Sequence, residues 1–119
     1  MTARTSSPVL DHLPMHPLEF QILLVLLEGE SHGYAIAKEI ERQETWSGTI
    51  QPTNLYRRLR TMVERGVLSE GSEPGGGHRR LFGITPLGRK VARAEAERLE
   101  SMVLLAGRHN LLPNRVGEG

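Results

Sequence analysis

Residues 52–66, PTNLYRRLRTMVERG, combine apolar and basic side chains at the spacing of one short helix. Proline is favoured at the first position of a helix and glycine just after its end, so the stretch predicts a helix from Pro52 to Arg65. Projected at about 100° per residue, three apolar side chains share one side, namely Leu55, Leu59 and Met62. The opposite side carries Thr53, Asn54, Arg57, Arg60 and Thr61, with Tyr56 and Arg58 on the flanks. The helix is therefore expected to pack by one face and to present a cationic face.

Two further helices are expected before this one. Residues 17–27, PLEFQILLVLL, include six consecutive apolar residues, which are too few to cross a membrane. A helix that is apolar all round has to be covered all round, so this segment is expected to lie in the core. Ser31 is an N-cap candidate for a second helix, from Gly33 to about Gln43.

A hairpin and a long helix are expected after it. Residues 67–85 contain two short β-prone stretches around the Pro- and Gly-rich tip SEPGGGH, which predicts an antiparallel hairpin. Thr85 followed by Pro86 is a strong helix start, because the hydroxyl caps the helix and proline suits its first position. The final helix is predicted to reach about Ala106.

This order of elements is that of a winged helix-turn-helix. The predicted fold is mainly α with a small β-hairpin, in which the third helix enters the major groove of DNA and the hairpin wing lies beside it. The predicted organisation is a flexible arm (1–16), the winged helix-turn-helix domain (17–85), a C-terminal dimerisation helix (86–107) and a flexible tail (108–119).

The charge of the chain is unevenly distributed. Of 119 residues, 15 are Lys or Arg and 14 are Asp or Glu, so the net charge is +1. Residues 52–93 nevertheless contain nine basic and three acidic residues and carry +6, whereas the remainder carries −5. Such a concentration is typical of a surface that meets a polyanion, with a solvated basic face as the alternative.

The composition argues against several functions. The chain has no cysteine, which excludes disulfides and thiolate metal sites and favours a reducing cytoplasm. Without cysteines, the five histidines do not suggest a metal site, so neither a metal nor another cofactor is expected. No catalytic set of Ser, His and Asp, paired carboxylates or nucleotide-binding loop stands out, so an enzyme is not expected. No signal peptide or membrane span is expected either, which favours a soluble cytoplasmic protein.

The candidate DNA contacts lie on the third helix and the wing. Arg57 and Arg60 project outward, toward base edges or phosphates. Asn54 is able to pair with adenine, or else caps the helix together with Thr53. One of Arg79 and Arg80 is expected to pair with an acidic residue instead of DNA. The full predicted set is Gln51, Thr53, Asn54, Tyr56, Arg57, Arg60, His78, Arg79 and Arg80.

Three motifs follow one another along the chain: HGYAIAKEIE (32–41), PTNLYRRLRTMVERGVL (52–68) and HRRLFGITPLGR (78–89). In this order and spacing they resemble the PadR family of bacterial transcriptional regulators, over about Leu18 to Ala106. The resemblance implies a compact, homodimeric repressor held together by its first and last helices. The residues that match family positions are His32, Gly33 and Tyr34 at the second helix, Leu55 and Tyr56 in the recognition helix, Gly66 at its end, and Thr85 with Gly88 at the last helix.

The last helix keeps an apolar stripe beyond the length that a small domain covers, so this stripe is expected to pair with a second copy of the chain. The predicted dimerisation residues are Leu23, Leu26, Leu99, Met102, Val103 and Ala106. Two such copies would place their third helices about 34 Å apart, on an inverted repeat. Two alternatives stay open: a protein-interaction module that uses the same basic face, and a sensor of a small hydrophobic effector at the dimer interface. Trp46 is then either a core residue or part of the effector pocket.

Overall fold

The computed structural model describes residues 9–72 and 80–113. Within these ranges a short 3-10 helix (Leu10–His12) precedes four α-helices and three strands. They are α1 (Pro17–Leu26), β1 (Ser31–His32), α2 (Gly33–Arg42), α3 (Pro52–Glu64), β2 (Leu68–Ser72), β3 (Arg80–Ile84) and α4 (Pro86–Arg108). Three helices, a hairpin and a long final helix confirm the predicted winged helix-turn-helix.

The ends of α3 and α4 follow from local sequence signals. Pro52 occupies the first turn of α3, and Gly66 follows its end with φ of +85°, a conformation that glycine adopts without steric cost. The Thr85 hydroxyl accepts the backbone N–H of Gly88 at 2.9 Å and so caps α4, whose first residue is Pro86. These boundaries agree with the prediction to within two residues.

The sheet has one strand more than the predicted hairpin. Strands β2 and β3 pair antiparallel from Leu68 opposite Ile84 to Ser72 opposite Arg80, and β1 pairs with the other edge of β3. Ser31 lies opposite Phe82 in this short strand, so its prediction as the N-cap of α2 was wrong; His32 occupies the N-cap position. The edge of β3 that β2 leaves open offers backbone hydrogen bonds to β1. This pairing places Ser31 in the sheet and not at the start of α2.

One apolar core joins α1, α2, α3, the sheet and the first half of α4. Its residues with at most 2% exposure are Leu18, Ile22, Leu23, Leu26, Ile36, Ile40, Leu55, Leu59, Met62, Val67, Leu68 and Val91. Trp46 is half-buried and packs against this core.

Part of the predicted flexible arm is packed as well. Met15 is 9% exposed, Val9 and Leu13 pack against the core, and the backbone N–H of Met15 donates to the Glu95 carboxylate of α4. The prediction of a free arm was therefore wrong for residues 9–16, because their apolar side chains have a surface to cover. Residues 1–8 lie outside the described ranges, as do residues 114–119 of the predicted tail.

Candidate nucleic-acid interface

Helix α3 has one buried and one exposed face. Leu55, Leu59 and Met62 are exposed by 1%, 0% and 1%. Arg57 and Arg60, on the opposite side, are exposed, as predicted. The helix therefore contributes to the core and leaves two guanidinium groups available to a ligand.

The structure brings four of the predicted DNA contacts together. Thr53, Tyr56, Arg57 and Arg60 line one open depression, with Pro52 at its end. This surface combines two cations, a hydroxyl and the edge of an aromatic ring. Such groups form charge-assisted hydrogen bonds to phosphate and hydrogen bonds to base edges.

The polar residues at the start of α3 do not cap it. Gln51 occupies the N-cap position and is exposed, but its side chain makes no capping hydrogen bond. The Asn54 amide oxygen instead accepts a hydrogen bond from the Arg57 guanidinium. Asn54 therefore restrains the direction of Arg57 in the free protein.

Arg58 differs from the other two arginines of α3. Its Nη1 donates to the Glu19 carboxylate of α1 at 3.0 Å, and its side chain is only 23% exposed. Arg58 therefore adds to the charge of the segment without belonging to the presented face.

The wing is described only where its strands are paired. Arg80 Nε lies 3.5 Å from the Glu70 carboxylate on the neighbouring strand, so Arg80 is an arginine with an acidic partner. Its carbonyl oxygen lies 3.3 Å from His32 Nδ1, which joins the wing to the start of α2. The other two predicted wing contacts, His78 and Arg79, lie outside the described residues.

Two exposed residues of α2 adjoin the depression on α3 and were not among the residues predicted from the sequence. Tyr34 is 67% exposed, and the Lys38 ammonium lies 5.3 Å from the centre of its ring. Both residues line a cavity of about 190 Å³ between α2 and α3, together with Tyr56. The available signal was their spacing of four residues, which puts them on the side of α2 away from Ile36 and Ile40.

One face of helix α4 is buried in the first half of the helix and exposed in the second half. Val91, Ala92 and Glu95 bury this face in the protein's own core. Three turns further on, Met102 and Val103 continue the same face but are 55% and 53% exposed, with Leu99 and Ala106 half-exposed beside them. The stripe predicted for dimerisation is thus uncovered in the single chain.

The prediction for α1 needs correction. Leu23 and Leu26 are 0% and 1% exposed because they belong to the chain's own core, so they are not available to a partner. The exposed leucines in this part of the chain are Leu24 of α1 and Leu27, which directly follows the helix, at 40% and 41%. The helix is therefore not covered all round within one chain, contrary to expectation.

A buried carboxylate fixes α4 to the residues before α1. Glu95 is 2% exposed and accepts two hydrogen bonds from the Arg98 guanidinium, at 2.8 and 2.7 Å. These hydrogen bonds from Arg98, opposed by burial and assisted by the Met15 N–H, hold the pKa of Glu95 below its usual value.

Residues 9–72 and 80–113 contain neither a cluster of metal ligands nor a helix suited to a membrane. No group of three or more potential metal ligands occurs there. None of the helices in this part of the chain has the length and apolar character needed to cross a bilayer.

Comparison with known proteins supports the architecture. A transcriptional regulator from Clostridium thermocellum is 27% identical, with a TM-score of 0.67 over 87% of this chain and 95% of that one. A PadR family transcription regulator from Clostridium difficile is 17% identical, with a TM-score of 0.68 over 79% of this chain and 98% of that one. Bacillus subtilis PadR, in complex with operator DNA, is 20% identical, with a TM-score of 0.59; the match covers 68% of this chain and 46% of that one. At such identities the last two show likeness of fold.

The sequence itself matches a family. The comparison with curated proteins found no significant match. The family described as "Transcriptional regulator PadR-like family" matches residues 22–94, which is more than half of the chain. The protein therefore belongs to the PadR-like family of transcriptional regulators.

Proposed function

We propose that the protein is a cytoplasmic homodimeric repressor that binds an inverted repeat in double-stranded DNA. The observation that carries this proposal is the division of α3 into a face buried in the core and a face that presents Arg57 and Arg60. The family assignment supports a role in transcription, and the solved complex of Bacillus subtilis PadR with operator DNA supports this use of the fold.

The dimensions of α3 suit the major groove. A helix with its side chains is about 10–12 Å across, and the groove is about 12 Å wide. In the proposed complex Thr53 and Arg57 approach base edges from the start of the helix, and Arg60 binds phosphate or a base further along. Tyr56 and the neighbouring Lys38 then lie toward the phosphate backbone, and the wing toward the adjoining groove.

The proposed dimer covers the exposed stripe of α4. An α-helix of 23 residues extends about 34 Å, and the second half of α4 carries Leu99, Met102, Val103 and Ala106 on its uncovered face. A second copy offers Leu24 of α1 and the adjoining Leu27, whose apolar side chains are exposed. Burial of these two surfaces against each other removes both from water, which is the main driving force for association.

DNA binding is tested with a duplex that the protein selects from a random pool and a random duplex of the same length. At physiological salt the selected duplex is expected to bind more tightly and to contain an inverted repeat. If the dimer neutralises about eight phosphates, the slope of log affinity against log salt is expected to be about −7. Equal affinity for both duplexes, or a slope near zero, would contradict the proposal. If the basic face instead serves to bind an acidic protein, the binding of that protein is expected to depend on salt. The chain would then show no preference among duplexes.

Arg57 offers a residue-level test of the same complex. Arg57→Ala is expected to cost about 1–3 kcal/mol in affinity and to relax the preference at one position of each half-site. Affinities are measured on a panel of duplexes with single base-pair changes. Uniform weakening over the whole panel would assign Arg57 to a phosphate instead.

A second candidate function, regulation by a small hydrophobic effector, is favoured by one groove. This groove of about 350 Å³ lies between α1 and α4, and its apolar lining includes Phe20, Leu24 and Leu99. Trp46 is not among the residues that line it. A planar hydrophobic ligand in this groove is expected to raise the melting temperature and to change the affinity for the selected duplex. No shift across a panel of such compounds would remove this candidate.

A further inference from the structure

The orientation of α3 is held by a contact on each of its flanks. On one flank, Arg58 Nη1 donates to Glu19 Oε2 at 3.0 Å, across 39 positions of the chain. Glu19 lies in the first turn of α1 and is 9% exposed. The ion pair thus joins α3 to the helix that continues toward the exposed Leu24 and Leu27.

The Glu19–Arg58 pair is poorly suited to a purely stabilising role. Among the described residues, the buried Arg58 Nε has no hydrogen-bond partner. A buried ion pair stabilises a fold only when its remaining donors are satisfied, since both charges lose their hydration. An ion pair that serves to fix the position of α3 does not have to stabilise the fold as well.

The opposite flank of α3 rests on α2. A β-carbon at position 33 would lie 2.6 Å from the Tyr56 hydroxyl oxygen and 2.7 Å from the adjoining ring carbon, so the Tyr56 ring lies directly against the backbone of Gly33, and a side chain at that position would have to displace it. Tyr56 and Arg58 are two positions apart, which separates them by about 160° around the helix. The two contacts therefore oppose rotation of α3 in both directions.

We propose that Glu19 is a positioning residue for DNA recognition, which fixes the rotation of α3 through Arg58 against the stop formed by Tyr56 and Gly33. The inference rests on the proposed DNA binding and identifies which internal contact makes it selective. At about 6 Å from the helix axis, a rotation of about 10° displaces a side chain by about 1 Å. Hydrogen bonds to a base edge form at donor–acceptor distances of about 2.7–3.2 Å, a spread of only about 0.5 Å. A displacement of about 1 Å is larger than this spread.

The test compares Glu19→Gln with a matched control, Glu39→Gln, which removes the same charge from an exposed ion pair with Arg42 on α2. Affinities for the selected and the random duplex are measured well below the melting temperature of each variant. Glu19→Gln is expected to weaken the selected duplex by about tenfold or more, the loss expected when a base contact is disturbed. The random duplex is expected to change by less than about twofold with an unaltered salt slope, because phosphate contacts carry no sequence information. Glu39→Gln is expected to change neither affinity.

Equal weakening of both duplexes, or unaltered affinity with a lower melting temperature, would overturn the proposal, since a merely structural pair gives either result. The double variant Glu19→Met/Arg58→Met removes both charges and is expected to recover the melting temperature without recovering selectivity. Recovery of selectivity in this variant would also overturn the role of the ion pair.

Hydrogen exchange separates this proposal from the proposed function. In the free protein, Glu19→Gln is expected to speed amide exchange in α3 more than in α2 or α4, and Glu39→Gln is not. Absence of sequence preference in the wild-type protein would refute DNA recognition itself, and the exchange rates would still decide whether Glu19 anchors α3. Unaltered exchange in α3 would overturn the anchoring.

Discussion

Gly88 is the position at which one added methyl group is expected to damage the fold most. A β-carbon at this residue would lie 2.2 Å from the carbonyl oxygen of Val67 and 2.8 Å from a side-chain carbon of Ile84. The Val67 oxygen cannot withdraw freely, because it also accepts the backbone N–H of Thr85 at 3.1 Å. Gly88→Ala therefore has to displace the start of α4 from the sheet.

The magnitude follows from three contributions. Forcing a group against rigid backbone costs up to about 3 kcal/mol, and loss of the Thr85–Val67 hydrogen bond adds about 1 kcal/mol. Alanine recovers about 1 kcal/mol through its better helix propensity. The free energy of unfolding is thus expected to fall by about 3 kcal/mol, which lowers the melting temperature by roughly 10–15 °C in a domain of this size.

Gly107 is the matched control, because it lies in the same helix and has no neighbour within 4 Å of an added β-carbon. Gly107→Ala is expected to leave the stability unchanged or to raise it by up to about 1 kcal/mol. Urea unfolding of both variants, followed by circular dichroism at one protein concentration, gives the comparison. Equal stability of the two variants would mean that α4 does not lie against Val67 as described.

Three further predictions concern α4. Thr85→Ala removes the cap and is expected to lower the free energy of unfolding, measured by urea titration, by about 1–2 kcal/mol. Thr85→Ser keeps a hydroxyl and is expected to lose less stability. Equal losses in the two variants would exclude the capping role. Met102→Lys is expected to raise the dimer dissociation constant measured by analytical ultracentrifugation, and Ser101→Lys, on the other side of the helix, is not; an unchanged dimer in the first variant would move the interface elsewhere. Because Arg98 holds the pKa of Glu95 below its usual value, this carboxylate stabilises the fold above the ordinary carboxyl pKa, and the contribution is lost as pH falls through the lowered folded value. Glu95→Gln is therefore expected to be less stable near neutral pH and to lose less stability on acidification, and parallel curves of unfolding free energy against pH would contradict this.

The elements that sequence reasoning placed well are those with local signals. Helix α3 combines an apolar stripe with Pro52 and Gly66 at its two ends, and α4 begins at the Thr85–Pro86 pair. Each signal acts within one turn of the helix that it defines, so no knowledge of distant neighbours is needed. The same periodicity separated the buried and exposed faces of α3.

Helix α1 shows where periodicity fails. Residues 22–27, which form its second half and its C-cap, are all apolar, so no polar side indicates which face points into the chain's own core. Leu23 and Leu26 were therefore assigned to a partner, although the structure buries them and exposes Leu24 and Leu27. A choice between neighbouring leucines depends on where α2, α3 and α4 lie, which is tertiary information.

Ion pairs between residues that are distant in the sequence cannot be predicted from local patterns either. Arg57, Arg58 and Arg60 are equivalent in a count, and helical projection placed Arg58 only on a flank. The carboxylate that takes up its charge is 39 residues away, on α1. Ser31 is similar, since its partner in the sheet, Phe82, is distant in sequence.

The ion pairs of Arg58 and Arg80 reduce the number of cations that are available to phosphate, and this changes the expected salt dependence of DNA binding. With Arg58 neutralised by Glu19, the presented face of α3 keeps Arg57 and Arg60, or four cations in a dimer. Even if all four cations neutralise phosphates, the slope is only about −3.6, whereas the proposed eight contacts give about −7. The difference has to come from outside α3, and Arg80 already pairs with Glu70. A slope near −4 would thus indicate binding by α3 alone, and a slope near −7 would indicate that Lys38 of α2 and the basic residues of the wing also reach the backbone.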